Sequence, residues 1–254
     1  MKKLPFAFLF FLLLMPFRAA AEKEIILLTS ADNPPYEFTK SGEIVGFDID
    51  LAKIIAERLG RKLVIRDMPF ASLIPALMSN QGDFAMAAIT PTDLKRENVD
   101  FSVNYQKNTS AIVLANKDEF DSVGSKNSVF PFVLLEGKTV GVQLGTHHET
   151  DIREANIPDL LIKRYDNVGA MVAEISNSAN GNGTIYALVI GIAEAKAMVA
   201  KNPKLCFFPL QFSDYFAIAL RKQSPLKSEI NKIIEHLRDM GKISTLETKW
   251  DIGR

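Results

Sequence analysis

Seven apolar runs of four to seven residues alternate with longer amphipathic stretches: EIILLTS (24–30), KLVI (62–65), FAMAAI (84–89), AIVLA (111–115), TVGVQ (139–143), IYALVI (185–190) and YFAIAL (215–220). Each is apolar at nearly every position and bounded by polar or turn residues, the signature of strands buried on both faces. Between them, DIDLAKIIAERLG (48–60) puts Leu51, Ile54, Ile55 and Leu59 on one helical face, carries Asp48 and Asp50 in its first turn against the helix dipole, and stops at Gly60. SPLKSEINKIIEHLRDMG (224–241) has Ser224 to cap, Pro225 at the first helical position, a stripe of Leu226, Ile230, Ile233, Ile234 and Leu237, and Gly241 as the stop. Such alternation predicts α/β topology with mostly parallel sheets, whose ligands settle beyond the carboxyl ends of the strands, beside the helix starts that follow. FAMAAITPTDLKRENVDF (84–101) is such a place, an apolar run followed by a helix start at Thr90, Pro91 and Asp93.

With 254 residues, 47% of them hydrophobic and 24% charged, the chain has material for one large or two small globular domains. Its first residues, MKKLPFAFLFFLLLMPFRAAAEKE, set two lysines, an apolar stretch (4–17) and Ala19, Ala20 and Ala21 ahead of a charged segment. That is the plan of a secretory signal over residues 1–21, cleaved after Ala21. Two prolines, and an apolar run shorter than the roughly 20 residues a bilayer needs, argue against a retained anchor. No cysteine lies nearby to carry a lipid. Removing residues 1–21 leaves 27 bases against 30 acids, a formal charge of −3, so neither nucleic acid nor an anionic membrane is an expected partner. Cys206, the only cysteine, cannot form an internal disulfide and reads as a small core residue. SNSANGNG (176–183) reads as a flexible surface loop.

Several ordered blocks resemble the periplasmic solute-binding proteins of polar amino acid ABC transporters. SADNPPYEF (30–38) is similar to that family's first strand and following loop, and Gly46, Phe47, Asp48, Ile49, Asp50 and Leu51 fit its Gly-aromatic-acid-apolar-acid-apolar signature residue by residue. MPFASLIPALMSNQGDFAMAAITPT (68–92) follows at the family spacing, and VDFSVNYQ (99–106) resembles Val-x-Phe-Ser-x-Pro-Tyr with Asn104 in place of Pro. GKTVGVQLGTHHE (137–149) is similar to the first strand and ligand-binding turn of the second lobe, and residues 215–250 to the return strand and closing helices. The resemblance implies an α/β, two-lobed periplasmic binding protein fold (type II) with two hinge strands and a ligand cleft between the lobes. Lobe 1 would be residues 24–112 plus 217–254 and lobe 2 residues 116–212, with hinges near 111–115 and 214–217. It implies a monomeric periplasmic receptor that captures a small polar metabolite, an amino acid or amino-acid-like compound, and delivers it to an ABC permease of the inner membrane. No cofactor and no metal are implied. Read on their own chemistry, Gly46, Asp48 and Leu51 form a helix start and a core contact, marking the fold without touching ligand.

The same resemblance implies three ligand contacts: an aromatic platform, a carboxylate clamp of backbone and hydroxyl donors with an arginine, and a second-lobe acid for the α-amino group. Phe70 stands at the platform, with Tyr36 a second candidate and Asn33 beside it in the opening loop; core packing is the other reading of both aromatics. The clamp departs from the family's Ser-Ile-Thr-Pro-x-Arg pattern, since Ala88 stands at the serine and Asp93 at the arginine, and Met86 fills a usually small position. Val189 falls where the amino-binding acid belongs. Thr146 follows Gly145 in the turn that offers backbone donors, and His147 or His148 either reaches the cleft or stays in solvent. Adjacent histidines, with His236 the only other, make a poor metal set. For Asp93 three readings stay open: it compensates the helix start and faces away, it meets a cationic ligand group, or Lys95 or Arg96 one turn along supplies the missing positive charge. Two alternatives share the scaffold. One is a dehydratase-like enzyme using Asp93, Glu149 and a histidine as an acid/base set, and the other a sensory module without transport. No phosphate loop, nucleophile elbow or Cys/His pairing favours catalysis.

Overall fold

The computed structural model describes residues 23–117, 130 and 132–252, and the expected signal lies outside them. The first lobe opens with β1 (Glu24–Thr29) and a small antiparallel sheet of β2 (Asp32–Asn33), β3 (Glu37–Lys40) and β4 (Glu43–Val45). It continues through α1 (Phe47–Arg58), β5 (Lys62–Asp67), a single 3-10 turn at Phe70–Ser72, α2 (Leu73–Met78), β6 (Phe84–Ala85), α3 (Asp93–Asn98) and β7 (Val99–Phe101). The second lobe contains β8 (Gln106–Leu114), β9 (Thr139–Gln143), α4 (His147–Glu154), β10 (Leu161–Tyr165), α5 (Val168–Ala179), β11 (Ala187–Gly191), α6 (Ile192–Lys201) and β12 (Cys206–Phe216). The chain then returns as β13 (Ala219–Arg221), α7 (Leu226–Asp239) and α8 (Lys242–Lys249).

Each lobe is built on a five-stranded sheet, ordered β5-β1-β6-β13-β7 in the first and β10-β9-β11-β8-β12 in the second. The three leading strands of each are parallel, as helical crossovers require, while β13, β7, β8 and β12 are the antiparallel additions made where the chain leaves one lobe or re-enters the other. Both faces of each sheet are covered. Ile25, Leu27 and Phe84 pack under Ile49 and Ile55 of α1 and Ile230 and Ile234 of α7, while Leu28 and Ala85 face Leu73 and Leu77 of α2. In the second sheet Val113, Leu188 and Ile190 meet α5 and α6, and Ile112, Val140 and Val189 lie on the α4 side.

The structure differs from the sequence expectations at several elements. AIVLA (111–115), expected at a hinge, lies within β8 and just beyond it, buried in the second lobe, so residues 106–112 belong to that lobe's sheet. The crossing occurs between Phe101 and Gln106, and the return between Phe216 and Ala219. YFAIAL is accordingly divided between β12 and β13. SNSA (176–179) is not loop but the last turn of α5, because Asn167 Oδ1 caps that helix on the Ala170 N–H at 2.8 Å and Met171 and Ile175 bury its apolar face. Pro225 is the residue before α7, with Ser224 Oγ accepting weakly from the Leu226 N–H at 3.4 Å.

The signature block does more than start a helix. Gly46 sits at φ 138°, and a Cβ there would be 2.0 Å from the Tyr36 carbonyl oxygen, so only glycine lets the α1 start dock on the opening loop. Phe47 and Asp48 N–H groups bond to the Pro35 and Tyr36 carbonyls at 3.1 and 2.9 Å. Asp48, fully buried, receives the Ala88 N–H and the Tyr105 O–H on one oxygen, each at 2.8 Å. Burial pushes its carboxyl up to about 6. This anchor holds Ala88 at φ 48°, a conformation an alanine does not adopt unaided. Asp50, the other acid of the first turn, ties α1 to the C-terminal helix through Lys249 Nζ at 2.6 Å and Trp250 Nε1 at 2.8 Å. Asp48→Ala would leave two buried donors unpaired and is expected to cost about 3 kcal/mol, read as a lowered urea midpoint at an unchanged slope.

Candidate functional site

The carboxyl ends of β6 and β11 and the turn after β9 face one another across the gap between the sheets, so loops that begin there must meet. Asn33, Phe70 and Ala88 from the first lobe, Thr146 and His147 from the turn into α4, and Val189 and Glu194 around the β11–α6 junction line a cavity of about 40 Å³. That volume holds only a few waters. A wider mouth of about 350 Å³ continues outward past Phe70, Lys95, Gly145 and Thr146.

Direct contacts keep the halves together. Asp32 Oδ2 of the first lobe accepts from the Val168 N–H at the start of α5 in the second, at 2.7 Å, placing an anion on a helix N-terminus. Asn33 and Glu194 meet across the gap, both lining the inner cavity. Gly145 packs so closely on Ala71 that a Cβ would sit 3.3 Å from its Cα.

The charges of the cleft are arranged unevenly. Lys95 supplies the ammonium from the first lobe: its Nζ bonds to the Thr90 carbonyl at 3.3 Å and lies 5.9 Å from the Phe70 ring centre. Burial pushes it down to about 8, with Asp151 and Asp214 acting the other way. On the opposite side, His147 Nε2 is 2.9 Å from Asp214 Oδ2, and Ser110 Oγ is within 3.4 Å of both. The imidazole bond holds Asp214 below the usual carboxylate range. His147, Asp151 and Asp214 offer ligand atoms within 4.8 Å of one another; hydrogen bonds already account for the His147–Asp214 pair, and the Lys95 ammonium opposes a further cation. His148 is buried beside His147, its rings 3.9 Å apart, and burial holds it well below its ordinary value and therefore neutral. Both histidines are thus buried, against the expectation of a solvent-exposed imidazole, because α4 begins at His147 and turns its first residues inward.

Glu194 is 6% exposed, with Oε2 lacking a partner among the described residues. Burial pushes its carboxyl up to about 7. Glu149, by contrast, is fully committed. It accepts from the Gly145 N–H at 3.1 Å, from Arg153 at 2.5 Å and from Arg164 at 2.6 Å, which fixes the turn and leaves no oxygen for acid/base work.

Of the residues singled out in the sequence, the structure brings Asn33, Phe70, Ala88, Thr146, His147 and Val189 together and leaves three out. Tyr36 is 1% exposed and packs edge-on to Phe47 and Phe216 at 6.3 and 5.2 Å, so it is core rather than platform. Met86 is fully buried against the α1 and α7 side of the first sheet, because strand alternation turns it away from the cleft. Asp93 is exposed on the first turn of α3, and the capping role belongs to Thr92, whose Oγ1 accepts from the Lys95 N–H at 3.4 Å. Residues two apart on a helix differ by about 200°, so with Asp93 outward, Lys95 faces the cleft. Arg96 is spent elsewhere, over the Phe101 ring and on the Pro91 carbonyl. Glu194 was missed by the sequence reading. Its signal was an acid in the first turn of the helix after an apolar run, which is easily taken for dipole compensation alone.

The chain is 33% identical to the arginine-binding extracellular protein ArtP of Bacillus subtilis over 240 residues, covering 92% of this chain and 88% of that protein. It is 30% identical to a probable histidine-binding protein of Campylobacter jejuni, over 88% and 83% of the two chains. A solved ancestral arginine-binding protein bound to arginine superposes with a TM-score of 0.78 at 34% identity, over 89% of this chain and 97% of that one. No helix among the described residues is long and apolar enough to cross a membrane. The family model matches residues 25–253, nearly everything beyond the expected signal, and the chain belongs to the bacterial extracellular solute-binding proteins, family 3.

Proposed function

We propose that this protein captures an amino acid with a basic side chain and delivers it to an ABC transporter permease. The carrying observation is the pattern of charges around the cleft: the Lys95 ammonium on the outer mouth, Glu194 on the inner cavity, Asp214 and Asp151 behind His147, and the aromatic wall of Phe70 shared by mouth and cavity. A basic amino acid offers the complement, one carboxylate and two cationic groups. The similarity to an arginine-binding protein and to a probable histidine-binding protein supports the same class. Lys95 takes over the carboxylate grip that Asp93 cannot supply, and the second lobe supplies the anions. Ligand contacts to both lobes stabilise the shut form, which the permease then engages, and excluding water strengthens each charged bond. The protein acts as a periplasmic monomer after loss of residues 1–21, and not as an enzyme, since Glu149 is tied to two arginines and Asp93 lies outside the cleft.

Thermal unfolding against a panel of amino acids tests this reading. L-arginine, L-lysine or L-histidine at 100 times its Kd is expected to add about 2.7 kcal/mol of stability, and a flat response to all three contradicts it. In titration calorimetry, Lys95→Met is expected to weaken binding at least about tenfold and Phe70→Ala by a similar factor, whereas Asp93→Ala changes it less than about twofold. In the empty protein Lys95 holds a proton less tightly than in the unfolded chain. Its contribution to stability therefore rises as the pH climbs from about 8 towards the ordinary lysine value of 10.5, and Lys95→Met abolishes that rise in denaturation measured across the interval.

A further inference from the structure

The cleft offers far more room outside Phe70 than inside it. The inner cavity measures about 40 Å³ and the mouth about 350 Å³, and Phe70 and Thr146 line both, so a solute reaching inward past the ring continues into the mouth without leaving the cleft. A single carboxylate beside Lys95 fills little of a space that falls within the range of pockets holding whole small molecules. The walls of the mouth differ in character. On the first lobe, Leu94 stands 68% exposed on α3 and lines the mouth together with the half-buried Ile74 of α2. On the second lobe, α4 presents Thr150 and Arg153. Lys95 and Arg153 bring two cations against one acid, Glu149, whose Oε1 is also taken by Arg164 from outside the mouth. Lys95 Nζ gives one of its three donors to the Thr90 carbonyl, at 3.3 Å, which leaves two for a guest among the described residues. An apolar wall and a net positive charge together are the complement of an apolar group that ends in a carboxylate.

We propose that the mouth is a second subsite, and that the protein takes basic amino acids extended at their carboxyl end by an apolar residue, short peptides with a basic first residue, as well as the free amino acid. This rests on the basic amino acid reading above, in which the cationic end points inward and the carboxylate meets Lys95. Extension then has one direction to go. A further residue carries the terminal carboxylate about 3.8 Å outward, from the inner edge of the mouth towards its second cation, Arg153. The added side chain lies against Ile74 and Leu94, and the peptide group falls within the part of the mouth that Lys95 and Thr150 line. Such an occupant touches α2 and α3 on one lobe and α4 on the other, so its contacts favour the closed form in the same way as those of a free amino acid.

Titration calorimetry with L-arginine, L-arginyl-L-leucine and L-arginyl-L-leucinamide tests it. The dipeptide is expected to displace L-arginine and to bind within about tenfold of it or more tightly. Its amide keeps the apolar side chain but lacks the terminal carboxylate, and should bind at least about tenfold more weakly than the dipeptide. Leu94→Ser alters an exposed side chain outside the core, so the variant should melt with wild type, weaken the dipeptide about fivefold and leave L-arginine within about twofold. A dipeptide that fails to displace L-arginine, or binds more than about tenfold more weakly, overturns the proposal and leaves the amino acid reading intact. Equal affinity for dipeptide and amide, or equal weakening of dipeptide and L-arginine by Leu94→Ser, overturns it as well. Should wild type give no heat with L-arginine, L-lysine, L-histidine or the dipeptide, both readings fall together.

Discussion

Antiparallel pairing of the two crossing strands is the constraint on which the rest depends. Gln106, Lys107 and Asn108 lie opposite Phe216, Tyr215 and Asp214, so the strands by which the chain enters and leaves the second lobe run side by side in one ladder of that lobe's sheet. Two adjacent strands resist splaying yet bend together, and that leaves one main way for the lobes to move, towards and away from each other across the opposite edge. The same ladder places Asn108 and Phe216 on the cavity wall and Asp214 against His147, so movement at the crossing is felt in the cleft without an intermediary.

Against this moving frame the first lobe presents a rigid wall. Asp48 gathers the Ala88 N–H and the Tyr105 O–H onto one oxygen and so fixes the loop after β6 in a backbone conformation it would not hold alone. The second lobe is fixed at the matching point by Glu149, which gathers Gly145, Arg153 and Arg164 around the turn into α4. Buried carboxylates thus do opposite jobs in one molecule. Asp48 and Glu149 are satisfied and structural, while Glu194 keeps an oxygen open at the cavity wall. Asp32, on the N-terminus of α5, ties the first lobe to the second.

How far the sequence could be read follows from the range of each interaction. The alternation of strands and helices and the signature from Gly46 to Leu51 were legible because periodicity and a close backbone approach are local facts. The position of the crossing was not, since Ala111 and its neighbours are apolar in the same way whether they pass between lobes or lie inside a sheet. Six of the nine residues singled out line one cavity because the ends of parallel strands converge in space. Tyr36 and Met86 failed because which face of a loop or strand meets core depends on tertiary packing, here on Phe47, Phe216 and the α1 helix. Matching single positions to a pattern also hid the charge exchange. Asp93 and Val189 looked like losses, whereas a few residues further along each helix start Lys95 lines the outer mouth and Glu194 the inner cavity.

The central claim is that two hinged lobes shut on a basic amino acid through displaced charge anchors. A crystal structure of the protein grown with L-arginine tests it most directly. The account predicts the α-carboxylate within about 3 Å of Lys95 Nζ and a cationic nitrogen within the same reach of Glu194 Oε2. An arginine bound with neither contact, or bound outside the cleft altogether, would contradict it.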